Sequence, residues 1–220
     1  LPRLIIQTVM AIAVAVFLIK SETVGIPLDG TFIDEVAMTI WIIGICNSIN
    51  FFDNLDGGAA GTVAVSTIGI ALIALGEGQE LIAALSIVTA GSTIGFLMWN
   101  RSPAKIYMGD AGALFLGVVV SVLTIRLNPG IAPKWNSISL LPMLLAVPIL
   151  DTCVAVFSRL YRRISPFTGG KDHLSHRLMR KGLNKKSTAF VLWGAQAVFV
   201  CTALAVYQWT SVIGTQLIIA

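Results

Sequence analysis

A chain of 220 residues that is 56% hydrophobic and only 12% charged has too little polar surface for a water-soluble domain. Its net charge is +4, and the placement of that charge matters more than its size. The three cysteines, Cys46, Cys153 and Cys201, lie in apolar runs and form neither a disulfide framework nor a CxxC metal pair, so they read as packing residues.

Apolar runs of roughly 15 to 21 residues alternate with short polar stretches, the length a helix needs to cross about 30 Å of hydrocarbon. In chain order they are Leu4 to Ile19, Val36 to Phe52, Ala59 to Leu75, Leu81 to Trp99, Ala111 to Leu127, Ile138 to Ser158 and Ala189 to Tyr207. The expected fold is therefore all-α, a polytopic transmembrane bundle of about seven spans forming one integral membrane domain over residues 1–220. The first run follows a basic residue but has no small-residue cleavage site behind it, and reads as a span rather than a signal peptide. Thr210 to Ala220 turns apolar again, as a further span cut short would, and the absence of an initial Met points to an upstream part. Low-complexity tracts and repeats are absent.

Lys and Arg collect in short cytoplasmic loops, which orients the bundle. With Leu1 inside, Arg3, Arg101, Lys105 and nine more between Arg159 and Lys186 fall inside, against Lys20, Arg126 and Lys134 outside. The acids Glu22, Asp29, Asp34, Glu35, Glu77 and Glu80 all fall outside. The positive charge is thus a membrane signature, and no nucleic-acid partner is expected. Every unusual polar cluster then lies on the inner face, including a basic cytoplasmic loop over 159–187.

Three clusters stand out there. The first is NSINFFDNLDGG, Asn47 to Gly58, where Asn47, Asn50 and Asn54 at i, i+3 and i+7 would make one stripe on a helix with Asp53 at its edge. Such a row of amides and carboxylates can hold a hard cation, a sugar or a base. The bland alternative is a solvated helix end followed by a turn; five such residues in so short a stretch weigh against it. The second is YMGDAGALFLG, where Asp110 alone reads as a helix cap, yet Gly109 and Gly112 permit close approach of a ligand to the backbone and a helix N-terminus welcomes phosphate. The third is GGKDHLSHRLMRKG, in which His173, His176 and Arg177 form a group able to clamp a diphosphate. Zinc is the weaker reading, since two His do not complete a shell. For Arg159, Arg162, Arg163, Lys185 and Lys186 the expected role is contact with anionic lipid head groups. Asp151, inside the sixth run, is expected to bond polar groups of a neighbouring helix.

The order NSINFFDNLDGGAAG, MGDAGALFLG, PILDT, SPF and DHLSHRL resembles that of the polyprenyl-phosphate N-acetylhexosamine 1-phosphate transferases, which include undecaprenyl-phosphate GlcNAc-1-phosphate transferases and muramoyl-pentapeptide transferases. The resemblance implies Mg²⁺-dependent transfer, with Mn²⁺ as a substitute, of a sugar 1-phosphate from a UDP-N-acetylhexosamine to a polyprenyl phosphate lipid, releasing UMP. It implies that Asn50 and Asp110 hold the metal, that Asp53, Asp56, Asp110 and His173 carry the reaction, and that Asn47, Asn54, His176 and Arg177 bind substrate. It also implies a multi-pass protein of the inner (plasma) membrane working on its cytoplasmic face, and it allows a homodimer. The family usually carries an Asp-Asp pair on a loop that would precede Leu1. Ser175 stands where many relatives have His, and Gly58 where Leu is common. The competing reading is a secondary transporter or channel, which would place its ionisable groups nearer the midplane.

Overall fold

The computed structural model describes residues 2–28, 30–165 and 170–219, with side chains from Leu4 to Thr210. Asp29, Pro166 and Phe167 of the SPF motif, Gly169, and the side chains of Arg3 and of the tail beyond Thr210 lie outside the described residues. Among the described residues every regular element is an α-helix: α1 (Pro2–Lys20), α2 (Thr31–Phe52), α3 (Gly58–Gly76), α4 (Glu80–Asn100), α5 (Gly109–Arg126), α6 (Lys134–Leu144), α7 (Ala146–Tyr161), α8 (Leu174–Arg180) and α9 (Lys185–Ile219).

Five of these, α2 to α5 and the Lys185–Thr210 part of α9, are long and apolar enough to cross a membrane. The pair α6 and α7 supplies a sixth if counted as one bent span, while α1 is a shorter apolar helix. Large apolar side chains such as Ile5, Phe17, Val88, Met98, Phe115 and Phe157 point outward, as they must where the surroundings are hydrocarbon. The chain is a multi-pass membrane protein. The apolar tail continues α9 rather than opening a new helix.

α3 is the axis of the bundle, with 78% of its span buried against 28% for α4. It packs chiefly on α4 and α9, and α2 packs on α5 and α1. Helices in lipid gain little from apolar burial and associate through close packing, so small residues mark the tightest crossings. A Cβ on Gly61 would come within 2.2 Å of the Trp193 indole, and one on Gly117 within 2.6 Å of the Cys46 Cα. Cys46 is buried in this packing, whereas Cys153 and Cys201 lie on exposed helix faces and are not core residues.

The expected span Ile138 to Ser158 is two helices, α6 and α7, meeting at 74°. The chemistry of the break is explicit. Pro148 has no N–H for the Leu144 carbonyl, and the Val147 N–H turns away from the helix. The fully buried Gln196 of α9 takes over both duties: its Nε2 donates to Leu144 O at 2.9 Å and its Oε1 accepts from Val147 N at 2.9 Å. The two backbone groups freed at the bend are thus met by a protein side chain, unlike the unwound backbone that transporters turn toward a substrate.

At one end of the bundle the connections are tied by structural bonds, among them Tyr207 Oη to Glu77 Oε1 at 2.6 Å and Asn128 N to Gln79 Oε1 at 3.1 Å. The other end gathers the α2–α3 turn, the α4–α5 loop, the start of α5 and the segment around α8.

Candidate active site

The site begins where α2 stops. Phe52 is its last helical residue, and Asp53 leaves helical geometry at ψ 42°. Asn54 then folds back, its Nδ2 donating to Phe51 O at 2.6 Å. The expected stripe Asn47–Asn50–Asn54 is therefore not a continuous helical row, because the helix ends before Asn54. Asn47, nearly one turn before Asn50, faces α1: its Nδ2 donates to Ile43 O at 2.8 Å and to Gln7 Oε1 at 3.4 Å.

Asn50 points instead across the bundle, its Nδ2 lying 3.1 Å from Asp110 Oδ1 in the first turn of α5. Gly109, at φ +66°, makes the turn that brings Asp110 there, a conformation that favours glycine. Burial, and then the neighbouring negative charge of Asp110, push the Asp53 carboxyl up to about 6. Two mutually repelling carboxylates beside the Asn50 amide suit a hard divalent cation; Asn50, whose Nδ2 here donates to Asp110, would hold one through its amide oxygen once that amide turns over, together with Asp110. Among the described residues no group of three or more His, Cys, Asp or Glu forms a closed metal cage. A cation held by so small a donor set would keep coordination positions open to substrate oxygens.

Asp56 lies on the other side of the turn, against the α4–α5 loop. Its Oδ2 accepts from Ala104 N at 3.4 Å and sits 3.8 Å from Lys185 Nζ. It lines a cleft of about 460 Å³ with Trp99, Arg101, Lys105, Lys186 and Trp193. The turn is held by Asn100, a residue that sequence reading passes over: buried at the end of α4, it accepts from Gly57 N at 3.0 Å and donates to Ile106 O at 2.9 Å. Gly57 has φ +74°, and its carbonyl accepts from Trp193 Nε1 at 3.1 Å. An Asn ending an apolar run looks like a solvated helix end; only the fold reveals the N–H it meets.

The segment around α8 closes this end. His173 is buried, its Nδ1 2.7 Å from Asp151 Oδ2 and its Nε2 3.4 Å from an Arg159 terminal nitrogen. Asp151 thus bonds polar groups of a neighbouring helix, as expected, and that helix is the short α8 of the basic loop, not another span. Arg159 is no lipid-facing residue: it is 4% exposed, and its Nε donates to Asp172 Oδ2 at 3.2 Å. Arg162 also donates to Asp172. Burial works against ionisation of Asp172, but these two guanidinium groups hold its carboxyl below the usual range. Ser175 donates to Asn54 Oδ1, and the His173 ring lies edge-on to Phe51 at 6.3 Å, so the segment docks on the end of α2. The half-buried His176 ring lies tilted by 57° to that of His173, with 6.3 Å between centroids. Burial, then the neighbouring His173, Lys171 and Arg180, lower its pKa against the opposing pull of Asp151. Arg177 is exposed and donates to the Asp172 carbonyl at 3.0 Å.

Asn50, Asp53, Asn54, Asp56, Asp110, His173, His176 and Arg177 are thus brought to one end, with Asn47 set back toward α1. This fold and this end define a class: a multi-pass α-helical membrane protein with amides, carboxylates and imidazoles collected at one rim of an apolar bundle. Within that class, the model for glycosyl transferase family 4 matches residues 1–128, and the chain belongs to that family. It is 40% identical over 165 residues to a probable undecaprenyl-phosphate N-acetylglucosaminyl 1-phosphate transferase of Bacillus subtilis (strain 168), covering 75% of this chain and 46% of the relative. It is 32% identical over 204 residues to a decaprenyl-phosphate N-acetylglucosaminephosphotransferase of Mycobacterium leprae (strain TN), covering 84% and 51%. A phospho-N-acetylmuramoyl-pentapeptide-transferase of Lacticaseibacillus paracasei is 40% identical over 89 residues, 40% of this chain and 28% of the relative. The chain spans about half the length of the first two.

Proposed function

We propose that this chain contributes the Asn50–Asp110 centre and the α8 clamp of an enzyme that transfers N-acetylhexosamine 1-phosphate, most simply GlcNAc 1-phosphate, from a UDP-sugar to polyprenyl phosphate, releasing UMP, as a first membrane step of cell-envelope polysaccharide synthesis. The observation that carries the reading is the 3.1 Å contact between Asn50 and Asp110. It joins the ends of two spans in a donor set for a hard cation, within a family whose curated relatives bear transferase names. The centre is assigned to the cytoplasmic face because the basic residues gather at the same end.

Phosphoryl transfer needs chiefly positioning and charge neutralisation. Mg²⁺, or Mn²⁺ in its place, would supply charge neutralisation on the diphosphate while held by Asn50 and Asp110. Asp53 adds negative charge beside them. Asp56, in the wall of the polar cleft, and Asn54 at the turn are assigned to the nucleotide-sugar side. His176 and Arg177 are assigned to the phosphates, where an exposed guanidinium offers paired donors to oxygens. Asn47, bonded toward α1, takes a supporting part in this scheme, and His173 acts from beneath α8. The lipid phosphate attacks the β-phosphorus of the UDP-sugar, the bond to UMP breaks, and the lipid tail stays in hydrocarbon throughout. Formation of a homodimer is compatible with this chemistry and not required by it.

The test is UMP release by the full-length protein supplied with UDP-GlcNAc, undecaprenyl phosphate and Mg²⁺. The wild type should turn over only with all three, and Asp110→Ala should lose at least about a hundredfold in kcat, in keeping with loss of an electrostatic group at a phosphoryl-transfer site. Full turnover by Asp110→Ala would remove Asp110 from the centre.

A further inference from the structure

We propose that Asp151 is a positioning residue for this reaction: through His173 it fixes α8, and with it His176 and Arg177, over the end of α2 that carries Asn50. The proposal rests on the function inferred above, although the contacts that define it do not.

Asp151 is fully buried within α7, where a carboxyl needs partners for both oxygens. Both go to the start of α8. Oδ2 lies 2.7 Å from His173 Nδ1, and Oδ1 accepts from Leu174 N at 2.6 Å. The opposite nitrogen of the imidazole, Nε2, faces Arg159 at 3.4 Å. Arginine only donates, so Nε2 accepts and Nδ1 carries the proton toward Asp151, which fixes the tautomer and the plane of the ring. Arg159, farther along α7, and Arg162, just past its end, both donate to the Asp172 carboxylate. Two side chains of α7 and one from the residue that follows it thus hold residues 172–174.

The far side of the same segment meets the last turn of α2 through the edge-on contact of His173 with Phe51, which neighbours Asn50, and the turn that follows through Ser175 to Asn54. His173 is therefore a strut between α7 and the end of α2. A carboxyl buried only to steady the bundle would bond an adjacent span. This one commits both oxygens to the segment that presents the phosphate-binding groups.

Asp151→Asn in the full-length protein tests this, because the two donors face different carboxylate oxygens and one of those positions becomes an NH2, which sets a donor against either His173 Nδ1–H or Leu174 N–H. Amide hydrogen exchange over residues 173–181 should accelerate on the order of tenfold while α3 stays unchanged, and kcat/KM for UDP-GlcNAc should fall. Because Asp151 acts through His173, the double variant with His173→Asn should lose no more than about threefold beyond the larger single loss. Unchanged exchange over 173–181, or losses that multiply, would overturn the proposal. If Asp151→Asn does not fold, Arg159→Lys probes the same latch, since one ammonium cannot span His173 Nε2 and Asp172; faster exchange at α8 supports the latch and unchanged exchange contradicts it. A wild type that releases no UMP would instead defeat the function inferred above, leaving the exchange measurement to decide the role of Asp151.

Discussion

In the turn between α2 and α3, Asp53 is half-buried and faces the charge of Asp110, and its carboxyl rises from the ordinary 3.8 to about 6. A raised carboxyl binds its proton more tightly folded than unfolded, so its contribution favours the fold at low pH and is lost as pH rises through about 6. In chelator-containing buffer, Asp53→Asn should therefore raise the thermal midpoint of the full-length protein at neutral pH, by on the order of 1–2 kcal/mol of stability, and the gain should shrink as pH falls toward 4. An equal gain at both ends of that range would mean that the charge on Asp53 is not what the substitution relieves. The identities of Asn50, Asp53, Asp56 and Asp110 as polar residues at the ends of apolar runs were legible in the sequence. Their pairing was not: Asn50 and Asp110 are 60 positions apart, and spacing along a chain says nothing about contacts at that range. The helical stripe through Asn54 failed for a local reason, since α2 stops at Phe52, two residues short of Asn54.

Among the elements, most helices follow from apolar run length alone, and their observed limits lie within a few residues of the runs. The bend between α6 and α7 had a visible signal in Pro142 and Pro148, but whether proline kinks or breaks a span depends on who satisfies the freed backbone groups. Gln196 does so from a helix 49 positions away. Gln196→Leu should leave Leu144 O and Val147 N–H unpaired in hydrocarbon and cost roughly 1–3 kcal/mol, read as a lower thermal midpoint in detergent. A midpoint equal to wild type would show that another group, or water, replaces the amide. At the α3–α9 crossing, Gly61→Val meets the Trp193 ring with no space to spare, and should lower the midpoint and detach Trp193 Nε1 from Gly57 O, seen as a red shift in tryptophan emission. α8 was hidden in the sequence because a seven-residue helix in a basic loop has no periodicity to display; its order comes from Asp151, Arg159 and Asn54.

For the whole molecule, the decisive property is sidedness. Hydrogen bonds such as Asn50–Asp110, Asn54–Ser175 and Gly57–Asn100 tie residues from distant parts of the chain to one end, where Arg101, Lys105, Lys171 and Lys186 also lie. That end must face the cytoplasm if a soluble nucleotide-sugar is to meet a lipid phosphate there. The measurement that bears on this most directly is labelling of single cysteines by a membrane-impermeant maleimide in oriented vesicles, with Cys46, Cys153 and Cys201 replaced by Ala. Cysteines placed at Tyr107 and Lys171 should react only from the cytoplasmic side, and those at Glu80 and Trp135 only from the opposite side. Reaction of Tyr107 and Lys171 from different sides, or of both from the non-cytoplasmic side, would contradict a single inner-face transfer centre.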